Sequence, residues 1–235
     1  MEIVWAREED LSALGGHVSG RIFSAFVIIK DIPDRAEEMI RTMTDTSWIN
    51  QLDIVSQKAF QSTTKRTIEK LVKSFFDVAN DQITTDFGEY MVSDSAQHVL
   101  KDQFNHSKLP LAELLKEKVT GNPGFDFHTE TETKLIAYGE AKYSGNSSPY
   151  AKALTQINEF IGDKKDDAEL IILSKLVSSE ATGNAVEGNK AYVAAFSINA
   201  AKPEDIMGNV LGSEHVKTLL SFPEVYVIGI KVDAK

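Results

Sequence analysis

The chain has 235 residues, of which 42% are hydrophobic and 26% are charged, so it has the composition of a globular protein and the length to bury a sizeable core. It lacks cysteine, which excludes disulfides, thiolate metal sites and a cysteine nucleophile, and it lacks an apolar run of transmembrane length. Its formal net charge of −10 opposes DNA binding by the chain as a whole, because Lys and Arg must neutralise the phosphates.

The N-terminal third is predicted to contain a strand followed by helices. Residues 21–30 form a β-branched and aromatic run typical of a buried strand, and a proline shortly after it begins an acid-rich helix. Apolar residues then recur at helical spacing over 51–79. We therefore predict an N-terminal lobe over 1–80 that packs on a core over 81–235, although one continuous domain fits the same pattern.

One cluster of basic residues lies on the predicted helix over 51–79. It comprises Lys65, Arg66, Lys70 and Lys73. Such a cluster is either a face that contacts nucleic-acid phosphates or an ordinary solvated helix surface, and an interrupting glutamate favours the second interpretation. We keep both interpretations and name Lys65, Arg66 and Lys70 as candidate nucleic-acid-binding residues.

Two helices are predicted between this segment and the centre of the chain. Residues 86–105 carry apolar residues at helical spacing after Gly88, and Pro110 begins a short helix over 111–119. A turn over 121–124 then breaks this helix. The chain therefore enters the next strand from a helix through a tight turn.

The stretch over 124–142, GFDFHTETETKLIAYGEAK, is predicted to form two strands joined by a polar turn. Asp126 belongs to the first strand, between two aromatic residues. Glu140 and Lys142 belong to the second strand and project from the same face, since side chains repeat every two residues along a strand. If the two strands pair, two carboxylates and one ammonium meet at one edge of a sheet.

This combination of charges suits metal-assisted phosphodiester hydrolysis. Neighbouring carboxylates repel one another unless a hard cation lies between them, and Mg²⁺ takes such oxygen ligands. A bound Mg²⁺ polarises a phosphoryl oxygen and lowers the pKa of a coordinated water, which an adjacent lysine can orient. We expect Asp126, Glu140 and the Ala141 carbonyl to bind Mg²⁺, for which Mn²⁺ can substitute, and Lys142 to position the attacking water.

The remaining chain is predicted to alternate helices and strands. After a polar loop, Ser148 caps a helix over 150–162, with Pro149 at its first position. The apolar run over 170–177 has the dense pattern of a central, two-sided strand. Two further strands and a helix or helix pair follow, the strands over 190–199 and 224–232 and the helical segment over 203–220. On the first turns of the helix over 150–162, Lys152 is a further candidate for phosphate contact, with a solvated lysine as the alternative.

Other hydrolytic chemistries are disfavoured. The five histidines show no HExxH or HxxxH spacing, which argues against a zinc site, and no GxSxG element is present for a serine hydrolase. A glycosidase also uses two carboxylates, but an adjacent lysine has no part in its mechanism. His128, two residues beyond Asp126, is either a supporting residue of the site or an ordinary strand-end histidine.

The motif formed by Asp126 and Glu140-Ala141-Lys142 resembles that of the PD-(D/E)xK nuclease superfamily. Asp126 matches the motif aspartate, Glu140 the acidic position and Lys142 the lysine, while Phe125 replaces the usual proline. The chain holds four (D/E)-x-K triplets, but only Glu140–Lys142 lies in an apolar strand with an acidic strand before it and a helix after it. The resemblance covers roughly residues 86–200.

This resemblance implies a restriction-endonuclease-like α/β core, with a mixed central sheet flanked by helices and an N-terminal α/β extension before it. In the superfamily a helix before the metal strands often supplies a further acid, for which Glu89 is the candidate, with Asp94 behind it. Gln156, followed by Phe160, resembles the Gln-xxx-Tyr/Phe element that supports the active site in several branches. A solvated surface amide is the alternative interpretation of Gln156.

The GFDFHT and GEAKY strands, with an acidic helix upstream, are similar to the nuclease subunit of Hachiman-type anti-phage defence (HamA-like). This resemblance implies a DNA nuclease paired with a helicase subunit. A DNA-binding partner would explain how a chain with an acidic net charge acts on DNA. A local basic patch or a homo-oligomer is the alternative explanation. A restriction or repair endonuclease and a non-catalytic scaffold subunit also stay open. The start, MEIVWAREEDL, is not a signal peptide, so we expect a cytoplasmic protein without a membrane partner.

Overall fold

A seven-stranded sheet forms the centre of the described part of the protein. The computed structural model describes residues 1–11, 19–77, 84–115 and 124–233. The strands are β1 (Glu2–Glu8), β2 (Arg21–Ile29), β3 (Ser107–Lys108), β4 (Phe127–Glu130), β5 (Ile136–Lys142), β6 (Ala191–Ser197) and β7 (Glu224–Val232).

The sheet is mixed, with the strand order β1-β2-β7-β6-β5-β4-β3. Its central strands β2, β7, β6 and β5 run parallel to one another, whereas β1, β4 and β3 pair antiparallel with their neighbours. Every residue of β6 is buried, as expected for a parallel strand covered on both faces. The predicted fold class, α/β with a mixed central sheet flanked by helices, is confirmed.

Helices cover both faces of this sheet. They are α1 (Ile32–Thr44), α2 (Ile54–Asp77), α3 (Thr85–Phe104), α4 (Ala112–Leu115), α5 (Tyr150–Gly162), α6 (Lys165–Leu173), α7 (Ser179–Val186), α8 (Pro203–Leu211) and α9 (Glu214–Leu219). A short 3₁₀ helix over Ser47–Gln51 precedes α2. Within the described ranges, no helix is both long enough and apolar enough to cross a membrane.

Two hydrophobic clusters lie on the two faces of the sheet. The first contains Ala137 of β5 together with Met91 of α3. The second contains Tyr138 of β5 together with Leu154 of α5. Because successive residues of a strand point to opposite faces, the alternation along β5 assigns Glu140 to the same face as Tyr138.

The predicted serine cap of α5 is wrong. Pro149 occupies the cap position, without a side-chain hydrogen bond. Ser148 instead accepts a hydrogen bond from the backbone N–H of Asn199 at 3.2 Å. A serine hydroxyl has several backbone groups within reach in a loop, and here it ties the segment before α5 to the end of β6.

The strand predicted over 170–177 is also wrong, because its first four residues end helix α6. The side chain of Ile171 is 76% exposed, whereas a two-sided strand would bury it. Leu173 is buried in the cluster that faces α5. The apolar run therefore supplies one half-buried helical face, which hydropathy alone does not distinguish from a buried strand.

Polar contacts between α6 and the sheet explain why this segment is helical. Asp166 accepts hydrogen bonds from the Lys190 ammonium at 2.7 Å and the Tyr192 hydroxyl at 2.6 Å. Oε2 of Glu169 lies 2.7 Å from Nε2 of His128. Residues three apart lie on one face of a helix, so the helical conformation directs both carboxylates to the sheet.

The other predicted elements are confirmed, apart from two details. Strands β1 and β3, helix α7 and the 3₁₀ helix were not predicted from the sequence. Of the helix predicted over 111–119, Ala112–Leu115 forms α4, and residues 116–119 lie outside the described residues. Strands β1 and β2 extend the sheet beside β7. The division of the chain into domains at residue 80 stays a prediction.

Candidate active site

The hairpin of β4 and β5 carries the residues of the predicted site. Phe127 pairs with Gly139, where an added Cβ would lie 2.3 Å from the Phe127 ring, so glycine allows the ring to lie against the neighbouring strand. Strand β4 begins at Phe127, and Asp126, which was predicted within the strand, directly precedes it. Its N–H still donates to the Gly139 carbonyl at 2.9 Å, so Asp126 continues the ladder.

Backbone hydrogen bonds hold Asp126 on both sides. The Ala141 N–H donates to Oδ2 of Asp126 at 2.9 Å, which directs the carboxylate toward β5. The Ala112 N–H donates to the Asp126 carbonyl at 3.3 Å and ties it to α4. The side chain of Asp126 is 24% exposed, so it is accessible from solvent.

Glu140 is fully buried, with an exposed fraction of 0%. Its Oε1 accepts a short hydrogen bond from the Lys142 ammonium, whereas its Oε2 is buried and has no hydrogen-bond partner among the described residues. Burial, and after it the nearby Asp126 carboxylate, raises the pKa of Glu140 well above its usual value. A cation beside Oε2 would satisfy this atom and stabilise the ionised carboxylate.

The Lys142 ammonium lies among three carboxylates. It donates a hydrogen bond to Oε1 of Glu140, and it lies 3.9 Å from Oε1 of Glu89 and 4.0 Å from Oδ2 of Asp126. It also donates to the Ala141 carbonyl at 3.2 Å. Burial lowers the pKa of Lys142, but the carboxylates of Glu140 and Asp126 outweigh burial, so the pKa is raised. The structure thus brings together Asp126, Glu140, Lys142 and Glu89, which we call the acidic group with its lysine.

Helix α3 delivers Glu89 to this group through a close approach to the residue after Lys142. A Cβ added at Gly88 would lie 2.2 Å from the ring of Tyr143. Glycine at this position lets the helix backbone contact the ring directly. Glu89, the next residue along α3, is half-buried beside the Lys142 ammonium.

Tyr90 is a neighbour of the acidic group that the sequence analysis did not assign to it. Its phenol is half-buried, and burial together with the charges of Glu113, Asp86, Asp126 and Glu89 raises the pKa of Tyr90. The hydroxyl therefore stays protonated and can donate a hydrogen bond. No sequence signal identifies Tyr90, because Asp126 and Glu113 reach it from distant segments.

Two residues predicted to support the site make no polar contact with Glu140 or Lys142 in the described part of the chain. His128 lies beside Glu169 of α6, and its ring packs against Tyr138 with the centroids 5.5 Å apart. Gln156 is half-buried on α5, which packs on β5 and β6. Within the described part of the chain, the polar contacts of Glu140 and Lys142 include neither residue.

Asp94, considered behind Glu89, belongs to a buried ion network instead. It accepts a short hydrogen bond from Arg35 of α1 and another from Lys108 at 3.1 Å. Burial raises the pKa of Asp94, but its bonds to His98 and the charges of Lys108 and Arg35 outweigh burial and lower it. This network joins α1 to α3 and so supports the helix that carries Glu89.

The predicted nucleic-acid-binding residues lie on helix surfaces. Lys65, Arg66 and Lys70 are exposed on α2, and Lys152 is exposed on α5. Their positions are compatible with either of the interpretations that the sequence leaves open.

The donor set fits a hard divalent cation with few protein ligands. No three His, Asp or Glu side chains of the described residues are grouped closely enough to hold a metal ion by themselves. Two carboxylates, of Asp126 and Glu140, and the Ala141 carbonyl are available. Mg²⁺ commonly takes one or two carboxylates and completes its octahedron with waters and substrate phosphates, so this set suits Mg²⁺ better than a fully protein-coordinated metal.

The chain matches the model of a known protein family over most of its length. The family model HamA matches residues 3–212, a range that includes Glu89, Asp126, Glu140 and Lys142. The chain belongs to the HamA family. HamA is the Hachiman defence protein, so the chain has a role in anti-phage defence. The search of curated proteins finds no match to this HamA family member.

Proposed function

We propose that this HamA family member is a Mg²⁺-dependent DNA nuclease that acts in the cytoplasm as the effector subunit of a complex with a helicase. One observation carries the nuclease proposal: the Lys142 ammonium lies within 4.0 Å of three carboxylates, one of which, Glu140, is fully buried with an unsatisfied oxygen. A structural ion pair does not need three carboxylates around one lysine at a solvent-accessible end of a strand.

Each residue of the site has a proposed role in phosphodiester hydrolysis. Asp126 and Glu140 hold Mg²⁺, with the Ala141 carbonyl as a third ligand. The bound ion supplies polarisation of the phosphoryl oxygen and lowers the pKa of a coordinated water. Lys142 orients the attacking water and neutralises charge that develops on the phosphate oxygens. Glu89, with Oε1 3.9 Å from the ammonium, is the further acid of the site.

The helicase partner is proposed from the family and the charge. Hachiman-type systems, which the chain resembles, combine a nuclease subunit with a helicase subunit. A chain with a net charge of −10 gains DNA affinity when a partner supplies further cationic surface. The helicase therefore brings DNA to the site and controls when the nuclease acts.

The test is cleavage of supercoiled and linear DNA by the purified chain, alone and with its helicase, with Mg²⁺ or with EDTA. We expect Mg²⁺-dependent cleavage that falls at least about 100-fold in Glu140→Ala/Lys142→Ala, because both metal binding and water orientation are lost. The matched control is Glu132→Ala/Lys134→Asn, which removes another (D/E)-x-K triplet on the β4–β5 turn. Asn is chosen because Lys134 has a φ of 62°, which Asn tolerates.

Three results would change the proposal. Unchanged cleavage by the Glu140→Ala/Lys142→Ala variant would refute the assignment of the site. Discrete sequence-specific fragments would indicate a restriction-type endonuclease. A folded wild-type chain that cuts no DNA, with or without its helicase, would indicate a scaffold subunit that keeps the nuclease fold.

A further inference from the structure

Helix α2 carries a concentration of positive charge on an acidic protein. Residues 58–73 include five of the 25 Lys and Arg residues of the chain but only one of its 35 Asp and Glu residues. All five cations are exposed, and we call them the α2 basic face: Lys58, Lys65, Arg66, Lys70 and Lys73. The single acid of this segment is Glu69.

Helical geometry places these cations on one side of α2. At about 3.6 residues per turn they fall within about 140° of the helix circumference, and the rise of about 1.5 Å per residue separates Lys58 from Lys73 by about 22 Å. The opposite side packs inward, with Thr64 and Leu71 buried. The α2 basic face is therefore a strip along one side of the helix, in which Glu69 lies among the five cations.

Two hydrogen bonds connect this helix to the acidic group with its lysine. The Thr64 hydroxyl of α2 donates to the Leu114 carbonyl of α4 at 3.4 Å. The Ala112 N–H of the same short helix donates to the Asp126 carbonyl at 3.3 Å. Lys65 and Arg66 directly follow Thr64, so the helix that carries the α2 basic face is joined through α4 to the segment that carries Asp126.

The chemistry of the strip favours a polyanion over a protein. Among residues 54–73 of α2, the exposed large apolar side chains are Ile54 and Val55, before the strip begins, and none is exposed between residues 58 and 73. The core of a protein interface is typically rich in aromatic residues and poor in lysine. Spaced cations without an apolar centre match the phosphates of a DNA backbone, whose binding is electrostatic and independent of sequence.

We propose that the α2 basic face binds the phosphate backbone of DNA and guides the strand toward the acidic group with its lysine. This inference rests on the proposed nuclease function and adds the surface that holds the substrate. The local positive potential offsets the repulsion between DNA and the acidic remainder of the chain.

The test is DNA binding by the full chain in EDTA, where cleavage does not interfere, at salt concentrations from about 50 to 200 mM. The variant Lys65→Gln/Lys70→Gln/Lys73→Gln is compared with Lys101→Gln/Lys202→Gln/Lys217→Gln, which removes three exposed lysines elsewhere and changes the net charge equally. We expect at least tenfold weaker binding for the α2 variant and a slope of log affinity against log salt that is smaller by about 2.7. The control variant should bind as the wild type does.

The outcomes separate this inference from the proposed function. If the wild type cleaves DNA with Mg²⁺ but both variants bind DNA equally well, the α2 inference is wrong and the nuclease stands. If the α2 variant binds DNA normally but no longer associates with its helicase, the strip is a protein-docking surface and the inference is likewise wrong. If the wild type binds no DNA at the lowest salt, the inference fails whatever the cleavage result. If the wild type binds DNA but shows no Mg²⁺-dependent cleavage, the result counts against the proposed function alone.

Discussion

At the residue scale, buried ionisable side chains of this protein differ in how their charge is compensated. Asp94 has several cationic partners, whereas Glu140 has a partner for one oxygen and none among the described residues for the other. His106 is 3% exposed, with Nδ1 2.8 Å from the Thr129 hydroxyl and a buried Nε2 that has no hydrogen-bond partner in the described residues. Asp94 therefore belongs to a structural network, Glu140 to a candidate site, and His106 is a group that must stay neutral.

His106 is expected to destabilise the fold in acid. Burial lowers the pKa of His106 from 6.5 to about 3, so the folded protein resists a proton that the unfolded chain accepts. The contribution of neutral His106 to the free energy of unfolding is therefore fully present above pH 6.5. It is lost as the pH falls toward 3, by up to about 1.4 kcal/mol per pH unit. We expect His106→Gln, which stays neutral and can still bond Thr129, to lose less thermal stability than the wild type between pH 6.5 and 4.

The control for this prediction is His215→Gln, a substitution of the same type at an exposed position of α9. Thermal unfolding followed by circular dichroism should give the same acid dependence for this control as for the wild type. An unchanged acid dependence in His106→Gln would show that other groups control acid unfolding.

Residue-level prediction succeeded where the pattern is local. Glu140 and Lys142 were predicted on one face because the period of a strand is two residues, and both contact one another in the structure. Glu89 was predicted from the resemblance, and the structure places it 3.9 Å from the lysine. Tyr90 was missed because two of the acids around it, Glu113 and Asp126, come from segments that only the fold brings together with α3.

At the element scale, the position of α3 depends on the contact between Gly88 and the ring of Tyr143. In an exposed helix, replacing glycine by alanine stabilises the helix by up to about 1 kcal/mol. Here the added methyl would lie 2.2 Å from the ring, and overpacking of this kind costs about 1 to 3 kcal/mol. We expect Gly88→Ala to lower the melting temperature by several degrees and to slow cleavage, because α3 moves Glu89 away from Lys142.

Two comparisons make this prediction specific. Gly183→Ala on α7, where an added Cβ meets no atom within 4 Å, should raise the melting temperature. In a double-mutant cycle, Tyr143→Ala should remove most of the cost of Gly88→Ala, since the clash disappears with the ring. Additive effects of the two substitutions would mean that the ring does not limit the approach of α3.

At the scale of the whole molecule, charge is distributed unevenly. The chain is acidic overall, yet α2 presents five exposed cations and the β4–β5 hairpin concentrates carboxylates around one lysine. Under the proposed function, the cations of α2 would attract a substrate phosphate, and the carboxylates of the hairpin would attract a divalent cation. This arrangement is consistent with a nuclease that acts on DNA delivered by a partner.

Metal binding should stabilise the whole fold independently of activity. A ligand that binds only the folded state at 100 times its dissociation constant adds about 2.7 kcal/mol, or about 5 to 10 °C in melting temperature for a chain of this size. We expect saturating Mg²⁺ or Mn²⁺ to raise the melting temperature of the wild type and to leave that of Asp126→Asn/Glu140→Gln unchanged. Glu204→Gln/Asp205→Asn, which neutralises two exposed acids of α8, should keep the shift. An equal shift in all three proteins would place the metal elsewhere.

Features that depend on short-range patterns could be predicted from the amino-acid sequence. Alternation along residues 136–142 predicted the strand and the shared face of Glu140 and Lys142, since a strand repeats over two residues whatever surrounds it. Dense apolar runs predicted β2, β6 and β7, because parallel strands covered on both faces need apolar side chains on both.

Features that depend on contacts between distant segments could not be predicted, because those contacts form only in the folded chain. Residues 170–173 of the apolar run belong to helix α6, whose Asp166 and Glu169 reach polar groups on and beside the sheet, and these contacts outweigh the strand-like composition of the run. The contact of Tyr143 with α3 and the link of α2 through α4 to Asp126 likewise arise from the fold. Local propensities differ by about 1 kcal/mol, so a few buried polar bonds are enough to override them.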